Sequence, residues 1–195
     1  VDLGIGRAPG GSVLTAKAMN VEAFLGEDRF PTQVQEVVGY LDDTLPPEYP
    51  YHAVKAIPAG DTSPEVWLLG SSDYSGALSA YLGLRFAFAH FINAHGGETV
   101  MRAYREQFQA SYRERRPHCL LAVFAICAPT HEEAERLAGS IDLRRYQMTL
   151  GIDAPVATVE EAQAYPYTEQ ARAVIQRERA RAVIGTPQAV KERLL

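Results

Sequence analysis

The sequence lacks most features that mark secreted, membrane or nucleic-acid-binding proteins. Its 195 residues include only two cysteines, Cys119 and Cys127. On one extended strand these would lie roughly 26 Å apart at ~3.3 Å per residue, too far for a disulfide bond, so we expect two reduced, buried thiols in a cytoplasmic protein. No apolar run approaches the ~20 residues of a membrane span. The net charge of −5 and the absence of a basic stripe argue against a nucleic-acid partner, and the run Arg113–Arg116 is interpreted as a solvated helix end.

Several catalytic and binding motifs are also missing. The chain has no Gly-x-Ser-x-Gly nucleophile elbow and no Walker A sequence. His90 and His95 have no third ligand at a suitable spacing, so no metal site is expected. In the segment Gly4–Gly10, three residues rather than two separate the last two glycines and one of them is a proline, so a dinucleotide-binding fingerprint is rejected.

What the chain does contain is an alternation of apolar runs with amphipathic helical patterns. This alternation is typical of parallel β/α units, although the pattern alone does not separate a barrel from an open sheet. Ligand sites on such sheets lie at the carboxyl ends of the strands. The segment Ala182–Gly185 stays open between strand and loop. The predicted strands, adjacent and parallel in this order, are Val1–Ile5, Val66–Leu69, Phe86–Ala89 and Leu120–Ile126.

The segment Val66–Gly83 is the most informative part of the chain. It predicts a buried strand, a Gly/Ser-rich turn and a short helix that ends at Gly83. Backbone N–H groups and the partial positive charge at a helix N-terminus favour a phosphate. Arg7, just beyond the first strand, is a cation able to bind the same phosphate through two N–H groups. The competing interpretations are an ordinary helix cap with spare serines and a surface ion pair at Arg7.

His90 follows the third predicted strand directly and therefore lies at the expected ligand-binding edge. It is a candidate for a catalytic polar contact. A single histidine at such a position is more often structural, so both interpretations stay open at this stage.

Five segments together resemble, in their order and spacing, the bacterial luciferase-like monooxygenase family. The resemblance extends over nearly the whole chain and implies a (β/α)8 TIM barrel, an α/β fold. It implies that this chain is a partial barrel with about four parallel strands, the fourth to the seventh. The chain is then one domain over 1–195, incomplete at both ends and without the first three strands and the last. The segments are Asp2–Gly10, Leu69–Ser72, Ala77–Gly83, Phe86–His90 and Ala182–Pro187.

The resemblance also implies a function. The intact enzyme is expected to use reduced FMN and O2 to oxygenate a small organic substrate through a C4a-peroxyflavin, with a separate flavin reductase as a partner and possible homodimers. The segment Phe30–Gln33 lacks a second arginine that some luciferases carry, which puts phosphate affinity and flavin choice in question. His90 is the candidate catalytic residue. The implied cofactor-binding residues are Arg7, Gly70, Ser71, Ser72 and Ser75.

Two alternatives remain. The first is an oxidoreductase on the same fold that transfers hydride with the deazaflavin F420 and does not need O2. The second is a non-catalytic flavin-binding protein or an inactive fragment. Oxygen consumption with reduced FMN separates the leading hypothesis from the first alternative, and flavin binding separates it from the second.

Overall fold

The computed structural model describes residues 1–7, 13–19 and 29–195. The chain divides into two compact units, one of residues Val1–Phe88 with Gly96–Leu120 and one of residues Ala89–His95 with Leu121–Leu195. That residues 1–195 form a single domain stays a prediction. Within the described ranges, no helix is both long and apolar enough to cross a membrane.

Helices separate most strands along the chain as the sequence predicts, except that β4 is followed directly by β5. The strands are β1 (Asp2–Gly6), β2 (Glu65–Gly70), β3 (Arg85–Ala89), β4 (Cys119–Ala122), β5 (Phe124–Cys127) and β6 (Ala182–Gly185). The helices are α1 (Val13–Met19), α2 (Phe30–Asp42), α3 (Asp73–Leu82), α4 (Gly97–Gln107), α5 (His131–Thr149), α6 (Val159–Ala164), α7 (Glu169–Glu178) and α8 (Pro187–Leu194), with a 3-10 turn at Arg179–Arg181. The glycine-rich segment after β1 continues into residues 8–12, which lie outside the described residues.

The first four strands lie side by side in the order β1-β2-β3-β4, which confirms the predicted order. β1 pairs with β2, and β2 with β3, in parallel. In this register Gly6 lies opposite Leu69, so the carboxyl ends of β1 and β2 are level with each other. Side chains of β2 and β3 form the centre of the first unit because Leu68, Phe86 and Phe88 are almost completely buried. Each such side chain contributes about 1.5–3 kcal/mol by leaving water.

Tyr104 of α4 is the largest buried side chain beside these strands, at 1% exposure. Its oxygen lies 2.9 and 3.0 Å from the carbonyl oxygens of Leu84 and His118, which share its single O–H proton as acceptors, and it accepts from the backbone N–H of His118 at 3.1 Å. Burial raises the pKa of Tyr104 to about 12, so the phenol stays protonated in this environment. The hydroxyl therefore joins the start of β3 to the segment that leads into β4.

The second unit contains a strand pair that the sequence analysis did not predict. β5 and β6 pair in parallel, with Phe124 opposite Ala182 and Cys127 opposite Gly185. The segment 182–185, left open above, is therefore a strand, which the structure adds to the about four that were expected. Cys119 and Cys127 are both free thiols. The expectation that both are buried was wrong, because Cys127 is exposed and Cys119 is only half-buried.

The predicted single strand Leu120–Ile126 was also wrong in one respect. The structure divides it at Val123 into β4 and β5, which belong to different sheets. An unbroken apolar run is expected for a strand that is covered on both faces. Here exposed and half-buried residues alternate in β5, which explains why the Cys127 side chain is accessible.

Candidate functional site

The turn between β2 and α3 is short because the strand ends at Gly70 and the helix begins at Asp73. Ser71 and Ser72 make the connection. Ser72 is the N-cap, with the extended φ and ψ angles of −140° and 171° that are usual at this position. Among the described residues, its hydroxyl accepts no hydrogen bond from the first helical turn. Both serines lie just before the first residue of the helix. The Ser72 side chain is exposed and that of Ser71 is half-buried.

Gly70 and Ser75 pack directly against each other beneath this turn. A Cβ atom added at Gly70 would lie 2.1 Å from the Ser75 Oγ and 2.3 Å from the Ser75 Cβ. Ser75 is 6% exposed, so its hydroxyl is enclosed rather than presented to solvent. The absence of a side chain at Gly70 is thus what allows the first turn of α3 to lie on the end of β2.

Arg7 reaches the same place from the neighbouring strand. It follows β1 directly, and the register places the end of β1 beside the end of β2. Its guanidinium carbon lies 4.1 Å from the centroid of the Tyr74 ring, in the first turn of α3. The structure therefore brings Arg7 together with a turn that is more than sixty positions away in the sequence. The role of these residues in cofactor binding stays a prediction.

The sequence analysis missed Asp73, the first residue of α3. Its Oδ1 atom accepts a hydrogen bond from the backbone N–H of Tyr74 at 2.8 Å. The carboxylate is exposed and places a negative charge at the end of the helix that the proposed phosphate would approach. An acidic residue in the first turn is favoured by the helix dipole, which is the signal that could have identified it.

His90 lies in the other compact unit, directly after β3. Its backbone N–H donates to the carbonyl oxygen of Ala122 at 3.0 Å. Its Nδ1 atom is buried and has no hydrogen-bond partner within the part of the chain that the structure describes. A buried ring nitrogen without a partner is suited to contact a polar group of a ligand, because desolvation without a hydrogen bond is unfavourable.

Metal binding finds no support in the geometry. No group of three or more His, Cys, Asp or Glu side chains among residues 1–7, 13–19 and 29–195 could hold a metal ion. Among the residues described above at the turn between β2 and α3, Arg7 supplies the positive charge.

The arginine run Arg113–Arg116, interpreted above as a solvated helix end, contains a structural ion pair. Arg113 pairs with Asp42 of α2, and both side chains are only 11% exposed. Tyr112 also donates to the Asp42 carboxylate at 2.7 Å. Burial by itself raises the pKa of the Asp42 carboxyl, but hydrogen bonds from Arg113 and Tyr112 hold it below its ordinary value. This cluster stabilises the first unit and lies outside the turn at Gly70.

Comparison with known proteins places the geometry in a family. A family model described as luciferase-like monooxygenase matches residues 1–195. The uncharacterized protein YceB of Bacillus subtilis (strain 168) is 43% identical over 195 residues. The match covers the whole of this chain and 59% of YceB. The N-acetyl-S-alkylcysteine monooxygenase of Bacillus subtilis (strain 168) is 35% identical over 168 residues, or 85% of this chain and 49% of that protein.

A solved structure shows the same fold. The crystal structure of apo-MsnO8 matches with a TM-score of 0.80 and 29% identity, and the match covers 99% of this chain and 56% of that one. The chain thus spans a little over half the length of several proteins that it matches. The matches identify the α/β fold as the luciferase-like TIM-barrel type, of which this chain holds a part.

Proposed function

Because the chain belongs to the luciferase-like monooxygenase family, we propose that its complete gene product is a flavin-dependent monooxygenase. In this proposal it uses reduced FMN and O2 to oxygenate a small organic substrate, and a separate flavin reductase supplies the reduced cofactor. The residues of this chain bind the cofactor phosphate at the carboxyl ends of β1 and β2. The observation that carries the proposal is the meeting of Arg7 with the N-terminus of α3.

The turn carries groups whose chemistry suits a phosphate. Gly70 allows the first turn of α3 to pack on the strand end, since a Cβ there would collide with Ser75. Ser72 keeps its hydroxyl out of the cap, whereas the Tyr74 N–H of the first turn donates to the Asp73 carboxylate. Arg7 adds a cation able to donate two N–H groups to one anion. Asp73 opposes this attraction and keeps the site from being strongly positive.

The bound flavin supplies the reaction with O2, and the protein residues supply binding, orientation and exclusion of water. Ser71 and Ser72 are proposed as hydroxyl donors to the phosphate, and Arg7 as its counter-ion. Ser75 is proposed to support the site indirectly, by packing against Gly70 beneath the turn, because its hydroxyl is enclosed between them. His90 is proposed, independently of that turn, as a polar contact to a ligand, on the ground of its unpartnered Nδ1 atom among the described residues.

The test is titration of the complete gene product with FMN and with riboflavin, which lacks the phosphate. We expect FMN to bind more tightly. Arg7→Ala should weaken FMN binding by about 1.5–3 kcal/mol, the scale of a hydrogen bond to a charged group, and leave riboflavin binding unchanged. Arg102→Ala is the matched control because Arg102 also lies on the first unit but forms an exposed ion pair with Glu98. Equal affinity of wild type and Arg7→Ala for FMN would remove Arg7 from the site.

A second measurement addresses the reaction class. Oxygen consumption by the complete gene product with reduced FMN and a candidate thioether substrate, chosen from the name of the N-acetyl-S-alkylcysteine monooxygenase, should be coupled to substrate oxidation. Hydride transfer with F420 and no O2 requirement would identify the deazaflavin alternative. Absence of binding to either cofactor would identify a protein without flavin chemistry.

A further inference from the structure

Tyr74 is the aromatic side chain that contacts the candidate phosphate-binding arginine. The Arg7 guanidinium carbon lies 4.1 Å from the ring centroid, well inside the ~6 Å limit for a cation–π interaction. The two residues come from different elements, Arg7 from the end of β1 and Tyr74 from the first turn of α3. Their contact thus connects the strand end to the helix N-terminus at the mouth of the turn.

The ring can hold the cation without competing with an anion. A guanidinium stacked on an aromatic face keeps its N–H donors at its rim, where they remain able to bind a carboxylate or phosphate. An aromatic ring also carries no net charge, so it does not neutralise the arginine. A carboxylate in the same position would do both. The carboxylate of Asp73 accepts a hydrogen bond from the backbone N–H of Tyr74.

We propose that Tyr74 is a positioning residue whose ring holds Arg7 over the first turn of α3 and so prepares the site for a phosphate monoester. The inference rests on the proposed function and extends it to a residue that was not among the predicted cofactor contacts. A free arginine side chain loses about 2 kcal/mol of rotamer entropy when it is fixed. Stacking before the ligand arrives removes part of that cost from the binding step.

The experiment compares the complete gene product with its Tyr74→Phe and Tyr74→Leu variants by titration with FMN and with riboflavin. Phenylalanine keeps the aromatic face, whereas leucine keeps apolar bulk without it. We expect Tyr74→Phe to retain FMN affinity within about twofold and Tyr74→Leu to lose about three- to tenfold, the range of a partly exposed cation–π contact. Riboflavin affinity should stay within about twofold in both variants because riboflavin does not engage Arg7.

A double-mutant cycle shows whether Tyr74 acts through Arg7. In an Arg7→Gln background, Tyr74→Leu should cause no further loss of FMN affinity, since the partner that it positions is gone. Thermal unfolding of each apo variant monitors folding. If Tyr74→Leu unfolds, Tyr74→Met replaces it, because methionine fills irregular gaps without an aromatic face.

Each outcome supports or overturns the proposal. A wild type that binds FMN no more tightly than riboflavin has no phosphate site, and the proposed function and this inference then both fail. A wild type that prefers FMN, together with a Tyr74→Leu variant of equal preference, overturns the positioning role alone. Additive losses in the cycle also overturn it, because Tyr74 would then act independently of Arg7. Non-additive loss with rescue by phenylalanine supports it.

Discussion

Replacing Gly70 with alanine is expected to destabilise the protein by overpacking the turn on which the site is built. The added Cβ would lie 2.1 Å from the Ser75 Oγ, more than 1 Å inside an ordinary contact. Rotation of the serine side chain cannot relieve the clash, because the Ser75 Cβ is itself only 2.3 Å away. The first turn of α3 must therefore move. Overpacking of this kind costs about 1–3 kcal/mol.

The assay is urea unfolding of the complete gene product, with the free energy of unfolding compared between wild type and variant. Gly60→Ala is the matched control because a Cβ at Gly60 has no atom within 4 Å. Its stability should stay within about 0.5 kcal/mol of wild type or rise slightly, as the unfolded chain loses freedom. Gly70→Ala should fall well outside that range.

A second substitution tests the identity of the clash. Ser75→Gly removes both atoms that the new Cβ meets, so Gly70→Ala with Ser75→Gly should be less unstable than the sum of the two single changes. Ser75→Ala leaves the Cβ in place and should restore little. If Gly70→Ala is as stable as Gly60→Ala, or if Ser75→Gly adds its full effect, the packing argument is refuted.

Three further outcomes are expected. Asp73→Asn should tighten FMN binding several-fold at low salt by removing a like charge, and the gain should shrink as salt screens it. Tyr104→Phe should cost about 1–3 kcal/mol because it leaves a buried N–H without its partner. In wild type, the contribution of Tyr104 to the free energy of unfolding should be fully present below pH 10, the pKa of an unfolded tyrosine. It should fall as the pH rises towards the pKa of about 12 that Tyr104 has in the folded protein. In urea titrations, Tyr104→Phe should show a flatter slope there, and an unchanged slope would contradict the assignment. Arg113→Ala should cost about 1–3 kcal/mol by leaving the half-buried Asp42 carboxylate without its cation, whereas the exposed Arg102→Ala should cost less than about 0.5 kcal/mol.

The order of the first strands could be predicted from sequence because each is a short buried run followed by a helix. Val66, Leu68, Phe86 and Phe88 are all nearly inaccessible to solvent, as their runs imply. Parallel pairing then places the carboxyl ends of β1 and β2 side by side. The approach of Arg7 to the turn follows from that placement and does not depend on details of either side chain.

The remaining features depend on tertiary contacts that composition does not reveal. β6 is a four-residue segment between two helices, and it becomes a strand by pairing with β5. Val123 interrupts an apolar run with no glycine or proline to mark the break. The Arg113 side chain is buried by a partner seventy-one positions earlier, Asp42. Local pattern is silent on such partners, which is why this arginine was placed in solvent.

The predicted cofactor-binding residues fall into two groups with different physical roles. Arg7, Ser71 and Ser72 lie at the mouth of the turn, where the proposed phosphate would contact side chains and the helix end. Gly70 and Ser75 lie beneath it and fix the distance between strand and helix by mutual contact. Affinity should therefore depend on the first group and stability on the second. A change at Arg7 should weaken FMN binding in a protein that still unfolds normally, whereas a change at Gly70 should lower stability first and binding as a consequence.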